Sequence, residues 1–429
     1  MVEILKKISK FEYGMRPRLN KLYEYYIGKQ DILNARKPEG KPNNRIVANY
    51  AKYIVNTTTG YYLGIPVAYS SQDDKLSENI THICEYNDDA FHNTQLGKDI
   101  SVFGYGAELL YIDNDGEIRY GKINPMNLYI GYSNDIERRI EYAIRWYDVF
   151  DDDRNFTRYI EYYDDNEIRY YVSDGNGLTE TGRKEHLFGQ VPVNIYQNND
   201  DCLSDYEDAI PLFDAYNVMQ SESVNDFQKF ADAILAVKNT VMDDDTAAQM
   251  RDKNILELMD DGEASWLVKQ VNDAYVENIK NRLDKDIFMT TSTVNISDEN
   301  FAQNASGVAI KYKLMAMENR ISCTERYFKK ALQRRFEMIC SVLNFKGNNF
   351  KYTDIKITFD RNIPVNIQED ATTIQQLNGL VSKKTLLSQL PFIDDVEEEL
   401  EQIQNEGEYI FDGADKVNDA RGILEKPNR

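Results

Sequence analysis

Leu314-Met-Ala-Met-Glu-Asn-Arg-Ile-Ser-Cys-Thr-Glu-Arg-Tyr-Phe-Lys-Lys-Ala-Leu-Gln-Arg-Arg-Phe-Glu-Met-Ile-Cys-Ser-Val-Leu343 is the stretch around which the rest of the chain is organised. Leu314, Met317, Ile321, Phe328, Leu332, Phe336, Ile339 and Leu343 fall on one face at helical spacing. With Gly307 opening it, the spacing predicts the longest helix in the chain, on the order of 55 Å at 1.5 Å per residue. Residues 307–346 carry nine Lys and Arg side chains against Glu318, Glu325 and Glu337, a net of +6 in a protein whose net charge is −22.

Upstream of it, Thr291–Ser306 is rich in small polar residues and amides, including Asn295, Asn300, Gln303 and Asn304, and reads as flexible. Before that come two helical patterns. Leu212, Ala215, Tyr216, Met219, Val224, Phe227 and Ala231 continue to about Ala236, and Val276, Ile279, Leu283 and Ile287 mark a helix from about Asp273 to Thr290. Ser204 and Glu207 form a capping box ahead of the first, and Pro211 predicts a kink or a delayed start. Between the two lies a short acidic insert, 237–270, with the strand-like run Ser265-Trp-Leu-Val-Lys269. Two helices around a small mixed insert predict a protruding antiparallel stalk with a head.

The first 203 residues change from helix to strand. Apolar spacing predicts helices at Arg18–Ile27, about Arg45 to Tyr62, and Leu76–Val102. Ala107–Ile112 and Glu117–Ile123 flank Asn114-Asp-Gly116 as a hairpin, and strand-like runs follow at Ile140–Phe150, Thr157–Tyr163 and Ile168–Val172. Helices first and an antiparallel meander after them make an α+β unit. A strand at Asp354–Phe359 returns after the long helix, and the tail from Ile367 reads as helical.

Composition narrows the function more by exclusion than by assertion. A chain of 429 residues suggests two or three domains. Its acidity disfavours ordinary sequence-independent binding to nucleic acid, which depends on cations displacing counterions from phosphate. The 30 tyrosines suit half-wet surfaces between subunits, or a strand-rich region. Cys84, Cys202, Cys323 and Cys340 form no CxxC pair, as expected of a reducing compartment. Met1-Val-Glu-Ile-Leu-Lys-Lys7 has no apolar run of the kind a secretory leader needs, and the longest uncharged run, Tyr53 to Gln72, is too polar for a membrane span. The chain reads as soluble and intracellular.

No residue pattern names a reaction. Each Gly-Lys pair lacks the rest of a phosphate-binding P-loop, and Gly104-Tyr-Gly106 precedes a strand instead of opening a helix, which predicts a kink or bulge. His82, Cys84 and His92 lack a fourth ligand at finger-like spacing, and Asp113-Asn-Asp-Gly116 is a turn with its glycine misplaced for calcium. No catalytic residue, metal ligand or cofactor is expected.

Three further stretches carry a resemblance. They are Tyr26-Ile-Gly-Lys-Gln-Asp-Ile-Leu33; Asn49-Tyr-Ala-Lys-Tyr-Ile-Val-Asn56 with Gly64-Ile-Pro-Val67; and Gly379-Leu-Val-Ser-Lys-Lys-Thr-Leu-Leu387 before Leu390-Pro-Phe392. Gly189-Gln-Val-Pro-Val193 and Leu212-Phe-Asp-Ala-Tyr-Asn217 match in the same order. Together they resemble the portal proteins of tailed double-stranded-DNA bacteriophages, in the branch found in Bacillus siphophages. The likeness covers essentially the whole chain, and its specificity lies in the co-linearity of modest motifs.

The resemblance implies an α+β portal fold: a wing of helices and sheet (1–203), a first stem helix (204–236), a small α/β clip (237–271) and a second stem helix (272–292). A tunnel loop (293–306), a long helix with a returning wing strand (307–366) and a helical crown (367–429) complete it. It also implies a homo-oligomeric, dodecameric ring at one capsid vertex of the virion, assembled in the host cytoplasm. Double-stranded DNA would pass through it, a separate terminase would hydrolyse ATP, and head-completion or adaptor proteins, the major capsid protein and scaffolding protein would be partners. Asn295, Asn300, Gln303, Asn304, Lys311 and Lys313 are then the DNA-channel candidates, and Arg326, Lys329, Lys330, Arg334 and Arg335 the subunit-interface candidates. The competing readings are a capsid-associated enzyme with an unrecognised hydrolytic site and a general oligomeric scaffold.

Overall fold

A computed structural model describes residues 2–150, 156–173, 177–231, 234–238, 261, 263–267, 273–296 and 307–362, with scattered positions between 372 and 403. The chain divides into two compact units, one of residues 1–296 with 314–362 and the other of 297–313 with 363–429. In the second unit the described structure is slight: residues 307–313 are helical, a short helix Lys383–Leu387 buries Leu386, and its first turn is capped by Ser382, whose Oγ accepts from the Thr385 amide at 3.2 Å.

The first unit opens with helices α1 (Val2–Gly14) and α2 (Arg16–Tyr26), and Pro17 stands in the first turn of α2, where it blocks no helical hydrogen bond. Helix α3 runs Tyr50–Leu63, with the Asn49 side chain accepting from the Lys52 amide as its N-cap. The expected start near Arg45 is corrected, because residues 44–48 are extended. A strand β1 (Ala68–Ser71) leads to α4 (Asp74–Tyr86) and α5 (Asp89–Phe103). These two replace the single helix expected over Leu76–Val102. Asp88 breaks it by entering the left-handed region at φ 49, a conformation that aspartate tolerates better than most residues.

Strands then form two antiparallel sheets. Strand β2 (Tyr105–Ile112) pairs with β3 (Ile118–Ile123) as the expected hairpin. The remaining strands are β4 (Leu128–Tyr132), β5 (Ile140–Phe150), β6 (Phe156–Tyr163), β7 (Glu167–Ser173), β8 (Thr179–Glu185) and β9 (Val193–Gln197). The hairpin does not continue into the meander. β9 returns to its other edge, giving the order β3-β2-β9, while β4 to β8 form a separate five-stranded meander in chain order. α1 covers one face of that meander, where Ile4 and Ile8 pack with Ile144, Trp146, Ile160 and Tyr171. The edge strand β8 is almost fully exposed and reads Thr-Glu-Thr-Gly-Arg-Lys-Glu, a charged strand that discourages a further strand from pairing there.

Past the sheets, a 3-10 turn (Glu207–Ala209) precedes helix α6 (Ile210–Ala231). Pro211 falls in the first turn, so the delayed start is observed and no interior hydrogen bond is broken. The helix stops short of Ala236, because β10 (Ile234–Lys238) pairs antiparallel with β11 (Glu263–Leu267). Helix α7 (Asp273–Thr290) packs back against α6. The long helix α8 spans Gly307–Phe345, and β12 (Ile355–Thr358) returns to pair antiparallel with β1. Among the described residues no helix is long and apolar enough to cross a membrane.

Candidate functional site at the foot of the helical hairpin

The base of the α6–α7 hairpin is held by residues that no sequence motif groups together. Asn217, Ser221 and Asn225 recur every fourth residue on α6 and are almost fully buried although polar. Their side chains face the extended segment 44–48. The amides of Asn44, Ile46 and Ala48 donate to Asn225 Oδ1 (2.7 Å), Ser221 Oγ (3.0 Å) and Asn217 Oδ1 (2.8 Å). The periods match: four helical residues advance about 6.0 Å and two extended residues about 6.6 Å. A helix can therefore satisfy alternate amides of an extended strap with side chains alone. Lys37 adds a bond to Glu222 at 2.7 Å.

Directly after the strap, Tyr50 and Tyr53 reach the other half of the hairpin. The Tyr50 hydroxyl donates to Asp284 of α7 at 2.7 Å, and its ring contacts Phe213, Tyr216 and Phe288. The Tyr53 ring packs edge-on against Phe288. Its hydroxyl donates to the Val294 carbonyl (3.2 Å) and accepts from the Ile296 amide (2.8 Å). α7 ends where Ser292 turns left-handed at φ 48, which lets the Thr293 amide bond back to the Phe288 carbonyl at 3.1 Å. Thr291 and Thr293 are buried, so this first part of the polar segment is anchored, contrary to the flexible reading of it. Asn295 is half-buried beside it, whereas Asn300, Gln303 and Asn304 lie outside the described residues. Lys311 and Lys313 sit in the first turns of α8, and Lys313 is exposed.

The basic residues of α8 do not act as one group. Arg335 is fully buried, which corrects its assignment to a subunit interface. Its guanidinium bonds Glu108 on β2 (2.8 Å), Asp89 (2.7 Å) and Asn93 (3.0 Å) at the start of α5. Arg334 is half-buried and donates to the Val191 (2.8 Å) and Val193 (2.7 Å) carbonyls, holding the lead into β9. Lys329 is half-buried and donates to the Ile357 carbonyl at 3.0 Å, fixing β12. Of the interface candidates only Arg326 and Lys330 are exposed. Arg320, unassigned by the sequence, reaches Asp205 and Thr58, while Asp205 accepts from Ser101 and Asn198. This junction borders a cavity of about 330 Å³ between the 198–209 segment, the end of α7 and α8.

Electrostatics around Arg335 are those of a structural lock. Burial pushes the Glu108 carboxyl up, but the Arg335 guanidinium and His92, 2.8 Å away, overcome it and hold the carboxyl well below its usual range. Tyr69 and Tyr120 donate to Asp89 and Tyr196 donates to Glu108. Tyr25, Tyr50, Tyr61 and Tyr163 donate likewise to Asp214, Asp284, Glu318 and Glu161. This gives the abundance of tyrosine a reason the sequence reading did not reach. In a chain with 72 acidic and 50 basic residues, tyrosine hydroxyls supply donors to carboxylates that lack enough cations.

Asp99 has the opposite character. Burial pushes its carboxyl up to about 6 despite Lys122 at 3.0 Å. The folded state thus holds this proton more tightly than the unfolded chain, where aspartate titrates near 3.9. The associated stability is full below about pH 4 and is lost as pH rises toward 6, a change of about 3 kcal/mol. Asp99→Asn is expected to remove that slope. Urea unfolding at closely spaced pH values checks it: the variant should gain stability relative to the natural protein between pH 4 and 6, and a flat difference would contradict it.

Among the described residues no group of His, Cys, Asp and Glu could hold a metal ion. His92 is engaged with Glu108, and His82 lies 3.5 Å from Glu117. Asp113 Oδ1 accepts the Asp115 and Glu117 amides, each at 3.0 Å, which spends the carboxylate on its own hairpin turn. Gly104 caps α5 in the left-handed region instead of bending a strand.

The family described as phage portal protein, SPP1 Gp6-like, matches residues 7–411. The portal protein of Bacillus phage SPP1 is 24% identical, over 92% of this chain and 84% of that protein. The portal protein of Clostridium phage phiCD119 is 26% identical, over 92% of this chain and 94% of that protein.

Proposed function

The chain belongs to the SPP1 Gp6-like family of phage portal proteins, and from that premise we propose that its copies close into a ring, a dodecamer, at one vertex of the virion capsid. Portal proteins are structural, non-enzymatic components, and the roles that fit the family are those of virion, DNA packaging and head-tail connection. In this reading the ring is the conduit for packaging and ejection of double-stranded DNA. Terminase and head-completion or adaptor proteins dock on it, the major capsid and scaffolding proteins surround it, and it assembles in the host cytoplasm. The observation that carries the reading is the family match over residues 7–411.

The parts are assigned accordingly. Residues 1–203 are the wing, α6 and α7 the stem, the β10–β11 insert the clip, 293–306 the tunnel loop, 307–366 the long helix with the returning wing strand, and 367–429 the crown. Asn295, Asn300, Gln303 and Asn304, with Lys311 and Lys313, line the channel. Neutral amides exchange hydrogen bonds with phosphates one at a time, so no single contact holds the DNA. Arg326 and Lys330, exposed on α8, meet an acidic surface of the neighbouring subunit; in a chain of net charge −22 such a surface is plentiful.

Sizing of the native particle tests the reading. A ring of about twelve 49.8 kDa chains has a mass of roughly 600 kDa. Arg326→Glu with Lys330→Glu is expected to shift the population toward smaller species at low and moderate salt, leaving the monomer folded. Monomers or two-fold dimers at all concentrations would reject the ring, an unchanged particle would reject the two interface residues, and an imaged ring with 291–306 on its outer surface would reject the channel assignment.

A further inference from the structure

We propose that residues 44–53 form a single clamp that couples the axial position of α6 to the point at which the chain leaves α7. The inference rests on the portal reading only in assigning the hairpin to the stem. Ten consecutive residues touch three parts of the molecule in turn. The amides of Asn44, Ile46 and Ala48 are held by the α6 ladder of Asn225, Ser221 and Asn217. Tyr50 bridges to α7 through Asp284 and stacks on Phe213 of α6. Tyr53 brackets the chain just beyond α7 through Val294 and Ile296.

Stiffness makes these contacts a unit. Ala51, Ile54 and Val55, interleaved with the two tyrosines on α3, are fully buried in a core with Leu19, Leu22, Phe213 and Ile287. The first turn of α3 therefore cannot move independently of its neighbours, because close-packed interiors transmit displacement. The strap carries no side-chain core of its own. Its register on α6 is set by three backbone-amide hydrogen bonds at matched period, each contributing about 1 kcal/mol, with the Asn44 side chain adding bonds to Asn225 and Gln228. A shift of α6 along its axis must break the ladder or draw Tyr50 and Tyr53 with it. Whatever a partner does at the far end of the hairpin would then be felt at Val294–Ile296 through named atoms.

Coupling of this kind is reciprocal, so it can be read from either end. Amide hydrogen exchange on the full-length chain supplies the readout. Tyr53→Phe keeps the ring on Phe288 and deletes only the hydroxyl, so exchange at Ile296 should accelerate roughly tenfold or more. The coupling claim lies in the cross-effects. Tyr53→Phe should also speed exchange at Ala48, and Ser221→Ala should speed it at Ile296, each by roughly threefold or more. Ser221→Ala removes one ladder bond and leaves Asn217 and Asn225 in place, so the fold is retained, and a cooperative melt with the midpoint lowered by no more than about 4 °C verifies this. In Tyr53→Phe/Ser221→Ala the two effects at Ile296 should be non-additive. Acceleration confined to Ile296 in one variant and Ile46 in the other would overturn the clamp, leaving two local bonds. Because exchange needs neither capsid nor DNA, that failure is separable from failure of the portal reading, which particle size decides.

Discussion

Replacing Arg335 with alanine is expected to cost about 3–5 kcal/mol of folding stability, enough to unfold a marginal domain. The reason is what the substitution leaves behind. Glu108 is wholly buried and Asp89 nearly so, and Arg335 is the cation that reaches both, at 2.8 and 2.7 Å. An isolated buried carboxylate is far costlier than a missing pair. Tyr120 and Tyr196 lie beside the guanidinium and donate their hydroxyls, but they bring no compensating charge. Lysine should rescue only partly, because an ammonium cannot bond Glu108, Asp89 and Asn93 in one plane. Glu108 adds a pH signature. Arg335 and His92 hold its carboxyl well below the usual range against burial, so its contribution is present above about pH 4.5 and lost as pH falls below that. Urea unfolding of Arg335→Ala, Arg335→Lys and the natural protein at neutral and acid pH checks both parts. A loss under about 1 kcal/mol in the alanine variant would contradict the lock. An interface role predicts weaker assembly at unchanged monomer stability, which is the opposite pattern.

Gly104→Ala is expected to be nearly as damaging, at about 2–5 kcal/mol, from two terms that add. Gly104 has φ 84, where an L side chain is strained, and a Cβ there would lie 1.9 Å from the Cys202 carbonyl oxygen. That carbonyl cannot retreat freely. Cys202 itself is left-handed at φ 53, and Arg18 bonds its oxygen at 2.9 Å. The close approach joins the end of α5 to the segment that carries Asp205 into the hairpin foot. Gly116→Ala serves as the control. Gly116 shares the conformation, at φ 83, with no atom within 4 Å of its would-be Cβ, so only the strain of about 1–2 kcal/mol should remain. Equal thermal shifts in the two variants would show that the carbonyl contact contributes nothing.

Local pattern made much of this fold legible before any coordinates. The spacing Val276, Ile279, Leu283, Ile287 gave α7 at Asp273–Thr290, and the stripe from Leu314 to Leu343 gave α8, because an apolar face at helical period has one way to be buried. The β2–β3 hairpin followed from turn chemistry, and the co-linear motifs gave the family. One signal was present and unused: Arg335 stands three residues after Leu332 and four before Ile339, on the core stripe itself, and Glu108 stands among the apolar residues of β2. A charge in each of two buried positions is a request for a partner.

The strap was beyond such reading. Ile46, Tyr50, Tyr53 and Ile54 suit a helix, yet residues 44–48 are extended because Asn225, Ser221 and Asn217, some 170 residues later, satisfy their amides more fully than a frayed first turn would. The split at Asp88 and the return of β9 to β2 are of the same kind. What the sequence by itself determined is a set of elements whose burial depends on their own period, such as α7, α8 and the β2–β3 hairpin, together with the family those elements spell out in order. Tertiary structure alone decided which polar groups face one another across the chain. Leaving a polar group unpaired is costly only where it has lost water, and which groups lose water is fixed by packing between distant segments.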